Sequence, residues 1–208
     1  MSCLVCLAWV MAAGVASAQL DEPIGRFAVD VRLTLPHFKQ LPELGVWYGV
    51  DEQDLPTWGK GVEAGAHFYP LAWRWITFGV GGSVQISRAH SGLTELDGYV
   101  TGHVVDARFT SVAPHVSLNF GKNDGWSYLS GGLGWSWITI TTRAEPIDTT
   151  TRRQTIHYGG GGRWYFSDHL GVTIDLRFHK VSPQLPTEVV KPVPAMTVFV
   201  ASVGFTVK

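Results

Sequence analysis

The stretch Asp175-Leu-Arg-Phe-His-Lys-Val-Ser182 gathers the groups most able to do chemistry. A serine hydroxyl such as that of Ser182 becomes a nucleophile only when a base takes its proton, and an acid commonly orients that base. Lys180 and His179 are the nearby bases, and Glu188 is the next acid along the chain. Side chains alternate along a strand, so Lys180 shares a face with Ser182 and His179 faces the other way. Attack by an activated hydroxyl is the chemistry such a set could run.

A second constellation is spread along the chain. Asp30, Arg32, Glu63, His67, Arg163, Asp175 and Arg177 sit at alternating positions among glycine, serine and threonine. Three acids and three arginines are tolerable in a low-dielectric interior only when paired and hydrogen-bonded. They are expected to form a network that fills an enclosed space. His67, His115, His157 and His179 share this parity, but no short metal-ligand spacing joins them. They read as satisfied interior groups, with no metal or cofactor expected. His157-Tyr-Gly-Gly-Gly-Gly162 is not a phosphate loop, since no Lys-Ser/Thr pair follows. Gly160 and Gly162 read as room for an aromatic neighbour. Glu43, Asp51, Glu52 and Asp54 read as solvated surface without calcium-loop spacing.

The elements that position these residues show a two-residue period. Alternating segments are expected at about 26–38, 60–70, 75–88, 108–121, 126–142, 154–166, 169–180 and 195–207. One face carries Phe27, Val29, Val31, Leu33 and Leu35 in the first and Val172, Ile174, Leu176 and Phe178 in the seventh. The other face carries the charged and small residues. Helix signals are almost absent. Each segment is long enough for the 9–11 tilted residues that cross a bilayer as a strand.

Connections after the second, fourth and sixth segments are short: 71–74, Lys122-Asn-Asp-Gly125 and Ser167-Asp168. Those after the odd segments are longer: 39–59, 89–107, 143–153 and 181–194. Short turns at one end and long loops at the other describe an outer-membrane barrel with both chain ends in the periplasm. Trp73, Trp75, Trp126, Trp164 and Tyr165 are expected at the headgroup level of the short-turn end.

Composition agrees. Charged residues make up 16% of the 208, against about 25% in ordinary soluble domains. The chain holds 24 Gly and 9 Trp, and its formal net charge of -1 argues against nucleic acid as a partner. Residues 1–18 are apolar and end in Ala16-Ser-Ala18, the form of a signal-peptidase site, although no Lys or Arg precedes the apolar run. Both cysteines, Cys3 and Cys6, fall inside this leader. The expected organisation is a signal peptide, 1–18, and one barrel domain, 19–208. A soluble lipocalin-like barrel with the apolar face inward is the alternative.

With this pattern, residues 19–208 resemble the small eight-stranded outer-membrane proteins of Gram-negative bacteria, the OmpA-barrel and OmpX kind. The resemblance implies an all-β fold: an eight-stranded antiparallel up-and-down transmembrane β-barrel with a side-chain-filled lumen. It implies a monomer in the cell outer membrane, with lipid and lipopolysaccharide as neighbours. Ala201-Ser-Val-Gly-Phe-Thr-Val-Lys208 looks like the β-signal read by the barrel-assembly machinery, but ends in Lys208 instead of an aromatic residue. Asp175–Ser182 also looks like the strand of PagL-type lipid A deacylases that carries a His-x-Ser motif. Here Lys180 takes the histidine position, Pro183 stands where that family has Asn, and His179 is one residue out of register. The expected role is structural or surface-interaction, with no chemistry of its own. A channel for small solutes or hydrophobic compounds and a degenerate lipid A deacylase-like esterase are the alternatives.

Overall fold

The computed structural model describes residues 24–73, 75–92, 94–96, 99–101, 104–142, 152–184 and 193–208. The expected leader, Arg74 and Glu188 lie outside them. Eight strands form one closed antiparallel barrel: β1 (Phe27–Phe38), β2 (Gly59–Trp73), β3 (Ile76–Ser91), β6 (Val105–Lys122), β7 (Gly125–Thr142), β8 (Arg152–Tyr165), β9 (Leu170–Val181) and β10 (Met196–Val207). Two three-residue strands, β4 (Thr94–Leu96) and β5 (Tyr99–Thr101), fall between β3 and β6 in the chain and pair with each other. Each barrel strand pairs with its chain neighbours, and β10 closes on β1 with Val29 opposite Val207. No helix among the described residues is long and apolar enough to cross a membrane.

The alternation of residue types decides the faces. Phe27, Val29, Val31, Leu33 and Leu35 are exposed on the outside of β1, while Ala28, Asp30, Arg32 and Thr34 are buried between them. In β9, Asp175, Arg177 and His179 are buried and Ile174 and Phe178 exposed. The apolar face therefore points to lipid and the polar face into the lumen, the reverse of a lipocalin. One hydrogen-bonding row starts at Ala28 and passes through His67, Gly81, His115, Gly132, His157, His179 and Val198. It regains β1 at Phe38, ten residues beyond Ala28. This stagger tilts the strands and leaves an interior that side chains can fill.

Turns and loops match their residues. Asn123-Asp124 links β6 to β7, and Gly121 before it has φ 143°, a backbone region that glycine adopts without strain. In the first long loop a helix, α1 (Pro42–Tyr48), begins with proline in its first turn and ends on Gly49, whose φ of 65° caps it. Seven residues are too few to show a helical period in the sequence.

Two expectations are corrected. β6 begins at Val105 instead of about 108, β3 runs to Ser91 instead of about 88, and β2 covers 59–73 instead of 60–70. In β6 the apolar residues change parity between Phe109 and Val112, which hides the strand's outer end from a search for one continuous alternation. Trp126 and Tyr165 do not stand in the headgroup belt. Trp126 shares its parity with Ser130 and is 2% exposed inside the barrel, and Tyr165 stacks on it at 5.1 Å. Trp73 and Trp75 do point outward, at 61% and 68% exposure. Trp164 points outward and lies over Gly162, where a Cβ would meet its ring at 2.6 Å.

Candidate functional site

The lumen is filled in three layers. At the short-turn mouth Tyr69 meets Trp126 edge-on at 5.8 Å, Trp126 stacks on Tyr165, and Ile24 and Ala28 pack beside them. Lys208 lies under this floor, with its Nζ 4.3 Å from the Tyr165 ring and donating to Asn123 O at 2.6 Å and Asn123 Oδ1 at 2.8 Å. The terminal lysine thus fastens the end of β10 to the β6–β7 turn.

The charged layer lies above. Arg163 grips Asp30 with two bonds, Nε to Oδ1 at 3.0 Å and Nη2 to Oδ2 at 2.6 Å. His67 Nε2 shares Asp30 Oδ2 at 2.9 Å. Arg32 Nη2 donates to Glu63 Oε1 at 2.9 Å, and its Nη1 lies 3.3 Å from Asp175 Oδ2. Arg177 Nη2 donates to the same Asp175 oxygen at 3.0 Å. Tyr128 donates its hydroxyl proton to that oxygen at 2.6 Å, while its ring lies 4.5 Å from the Arg163 guanidinium. The three acids and three arginines balance in charge, and all are at most 4% exposed. Desolvating one such ion costs several kcal/mol, so the layer depends on all partners being present.

The four histidines follow the staggered row through this layer. His67 and His115 bring Nδ1 and Nε2 to 3.3 Å, and the rings of His115 and His157 lie 6.0 Å apart. His157 stacks on His179 at 5.9 Å. Gly81, between His67 and His115, makes their approach possible, since a Cβ there would stand 2.9 Å from His67 Nδ1 and 3.2 Å from His115 Nε2. No group of three or more metal-binding side chains converges among the described residues.

The outer mouth is apolar. His179 meets Phe109 at 5.5 Å, and Phe109 meets Phe38 at 6.2 Å. Val105, Ala107, Ile138, Ile140, Val181 and Val198 line the same level. Leu44, Val50 and Leu55 of the first long loop close it from above. That loop is tied down by Phe38 N donating to Thr57 O at 2.7 Å, Gln40 Nε2 to Leu55 O at 3.1 Å, and Ser91 Oγ to Asp54 O.

Among the described residues of the esterase pattern, Ser182 and Lys180 lie on the outside and His179 lies within the lumen. Ser182 is exposed at the rim and donates its backbone N–H to Gln154 O at 3.0 Å. Lys180 is exposed on the outer wall, while His179 is 2% exposed within the lumen. Sequence reasoning passed over Tyr128, whose hydroxyl joins Arg32 and Arg177 on Asp175 Oδ2. Its parity with Ser130 was the available signal. It also passed over Arg153, buried near the outer end of the lumen.

Comparison with solved structures finds barrels that cover most of this chain. The attachment invasion locus protein Ail of Yersinia pestis is 13% identical, with 88% of this chain and 99% of that one covered and a TM-score of 0.45. Neisserial surface protein A is 11% identical, covering 88% and 96%, with a TM-score of 0.48. The outer membrane protein OprG of Pseudomonas aeruginosa is 8% identical, covering 89% and 96%, with a TM-score of 0.46. No curated protein matches by sequence. Residues 4–204 match the model of the outer membrane protein beta-barrel domain, and the chain belongs to that family of outer-membrane β-barrels.

Proposed function

We propose that this protein is a sealed barrel with a structural or surface-interaction role, exerted by the segments that stand above the outer leaflet. The observation that carries this reading is the continuity of the three layers in the lumen. Aromatic rings close the short-turn mouth, an ion-pair network fills the middle, and an apolar plug with part of the first loop closes the outer mouth. A solute path needs a wet, open bore, which these layers oppose. The distance in space between Ser182 and the lumen face of His179 weighs against a lipid A esterase in the same way.

Planar-bilayer recording on the purified protein tests this reading. Little or no steady conductance is expected. A large, stable, ohmic conductance would replace it with the channel. Incubation with lipid A is the companion assay. Release of a 3-hydroxy fatty acid that disappears in Ser182→Ala would make the protein an esterase.

A further inference from the structure

Outside the barrel, three cations stand side by side on three consecutive strands. The registers place Lys60 of β2 opposite Arg88 of β3, and Arg88 opposite Arg108 of β6. All three are exposed on the outer wall. Like charges directly opposite in a sheet are destabilising, because facing side chains are about 4.5–5.5 Å apart at Cβ. None of the three has an ion pair or hydrogen-bond partner among the described residues. The neighbouring acid, Asp106, is engaged with His90 at 2.9 Å. The row thus has no ion-pair partner of its own among the described residues.

Its height gives the row meaning. Two residues inward along the strands, Val62 and Ile86 belong to the exposed apolar belt, and Thr110 stands beside Ile86. Outward lie Trp58, which packs edge-on against His37 at 4.6 Å, and the His90–Asp106 pair. Lys60, Arg88 and Arg108 thus mark the level where the wall leaves hydrocarbon on the side of the long loops. An anion that is anchored by acyl chains against Val62 and Ile86 would meet all three at once.

We propose that Lys60, Arg88 and Arg108 form a binding site for the phosphate groups of the glycolipid of the outer leaflet. The apolar belt beneath receives its acyl chains. Arginine suits this level because its planar fork bonds phosphate through two N–H groups. The site rests on the membrane placement of the barrel and not on the lumen being closed.

The test is native mass spectrometry of the protein in detergent, titrated with diphosphorylated lipid A, with lipid A stripped of its phosphates, or with inorganic phosphate. Wild type is expected to retain the diphosphorylated lipid and to lose it as salt rises. Each cation near an anionic surface contributes about fivefold in affinity, so Lys60→Gln/Arg88→Gln/Arg108→Gln should weaken binding on the order of a hundredfold. The triple variant should unfold in urea at least as late as wild type, because it removes a repulsive row. Arg152→Gln/Lys180→Gln, on the far side of the barrel, should bind as wild type does. Equal retention by the triple variant, or of the stripped lipid, would overturn the proposal. Inorganic phosphate binding as tightly as the lipid would also overturn it, by assigning the row to a free anion. If the triple variant misfolds, Arg88→Lys/Arg108→Lys keeps the charge but removes both forks, and it should lose a few-fold in affinity. Binding equal to wild type in that variant would count against phosphate recognition by the fork.

Discussion

Along β6 the lumen face begins with Val105, Ala107 and Phe109 and continues with Ser111, Ala113, His115, Ser117 and Asn119. The opposite face begins with Asp106, Arg108 and Thr110 and continues with Val112, Val116 and Leu118. The backbone ladder is uninterrupted across the change. β10 repeats it, with Met196, Val198 and Val200 inside at the outer end and Ser202 and Thr206 inside below. The barrel is thus a girdle with a polar interior and apolar wall, carrying a collar built the other way round. Each region turns its apolar face away from whatever water surrounds it: in the girdle that face meets lipid, and above the leaflet it can only meet itself. The same strand geometry serves both because a pleat offers two independent faces.

The largest effect should come from the girdle's interior. Arg163→Ala leaves Asp30 with only His67, and it should destabilise the barrel by about 3–5 kcal/mol in urea unfolding followed by tryptophan fluorescence. A loss below about 1 kcal/mol would mean that the charged layer is solvated, and the contrast between the regions would fail. The girdle's wall comes next. Val31→Arg, in the middle of the exposed belt of β1, should cost about 2–4 kcal/mol in lipid vesicles. Near-zero cost would place the belt elsewhere.

The collar's interior should respond like a soluble core. Ile138→Val trims one methylene from its cluster and should cost about 0.5–1.5 kcal/mol in the same unfolding assay. A neutral result would mean that the outer mouth is loosely packed. The collar's wall should be the most tolerant. Gln154→Arg, exposed on β8, should stay within about 0.5 kcal/mol of wild type. A cost as large as that of Val31→Arg would put the collar inside the bilayer.

Much of the girdle was legible in the sequence, because each face there keeps one character for several alternations. Val172, Ile174 and Phe178 against Asp175, Arg177 and His179 could be sorted without knowing any contact. The collar was not legible for the same reason. When Phe109 hands over to Val112, the parity of the apolar residues flips, and a search for one phase reads the outer end as loop. Trp126 shows a different failure. Residue type suggested a headgroup anchor, while its parity with Ser130 put it inside, and parity prevailed. Which acid meets which arginine depends on the ten-residue stagger. Arg163 and Asp30 are 133 positions apart, and nothing local links them.

The seam between β1 and β10 has a consequence for the integrity of the chain. These two strands lie at opposite ends of the barrel sequence, yet each is the other's only cover on one side. A product interrupted before Met196 would keep seven strands and expose two unpaired edges, on β1 and β9, inside hydrocarbon that offers no hydrogen bonds. It would also expose Asp175 and Arg177 along the gap. Completeness is thus enforced by the shape itself. An unfinished copy cannot close, and it carries two edges that are unsatisfied in hydrocarbon and open to pairing with other chains.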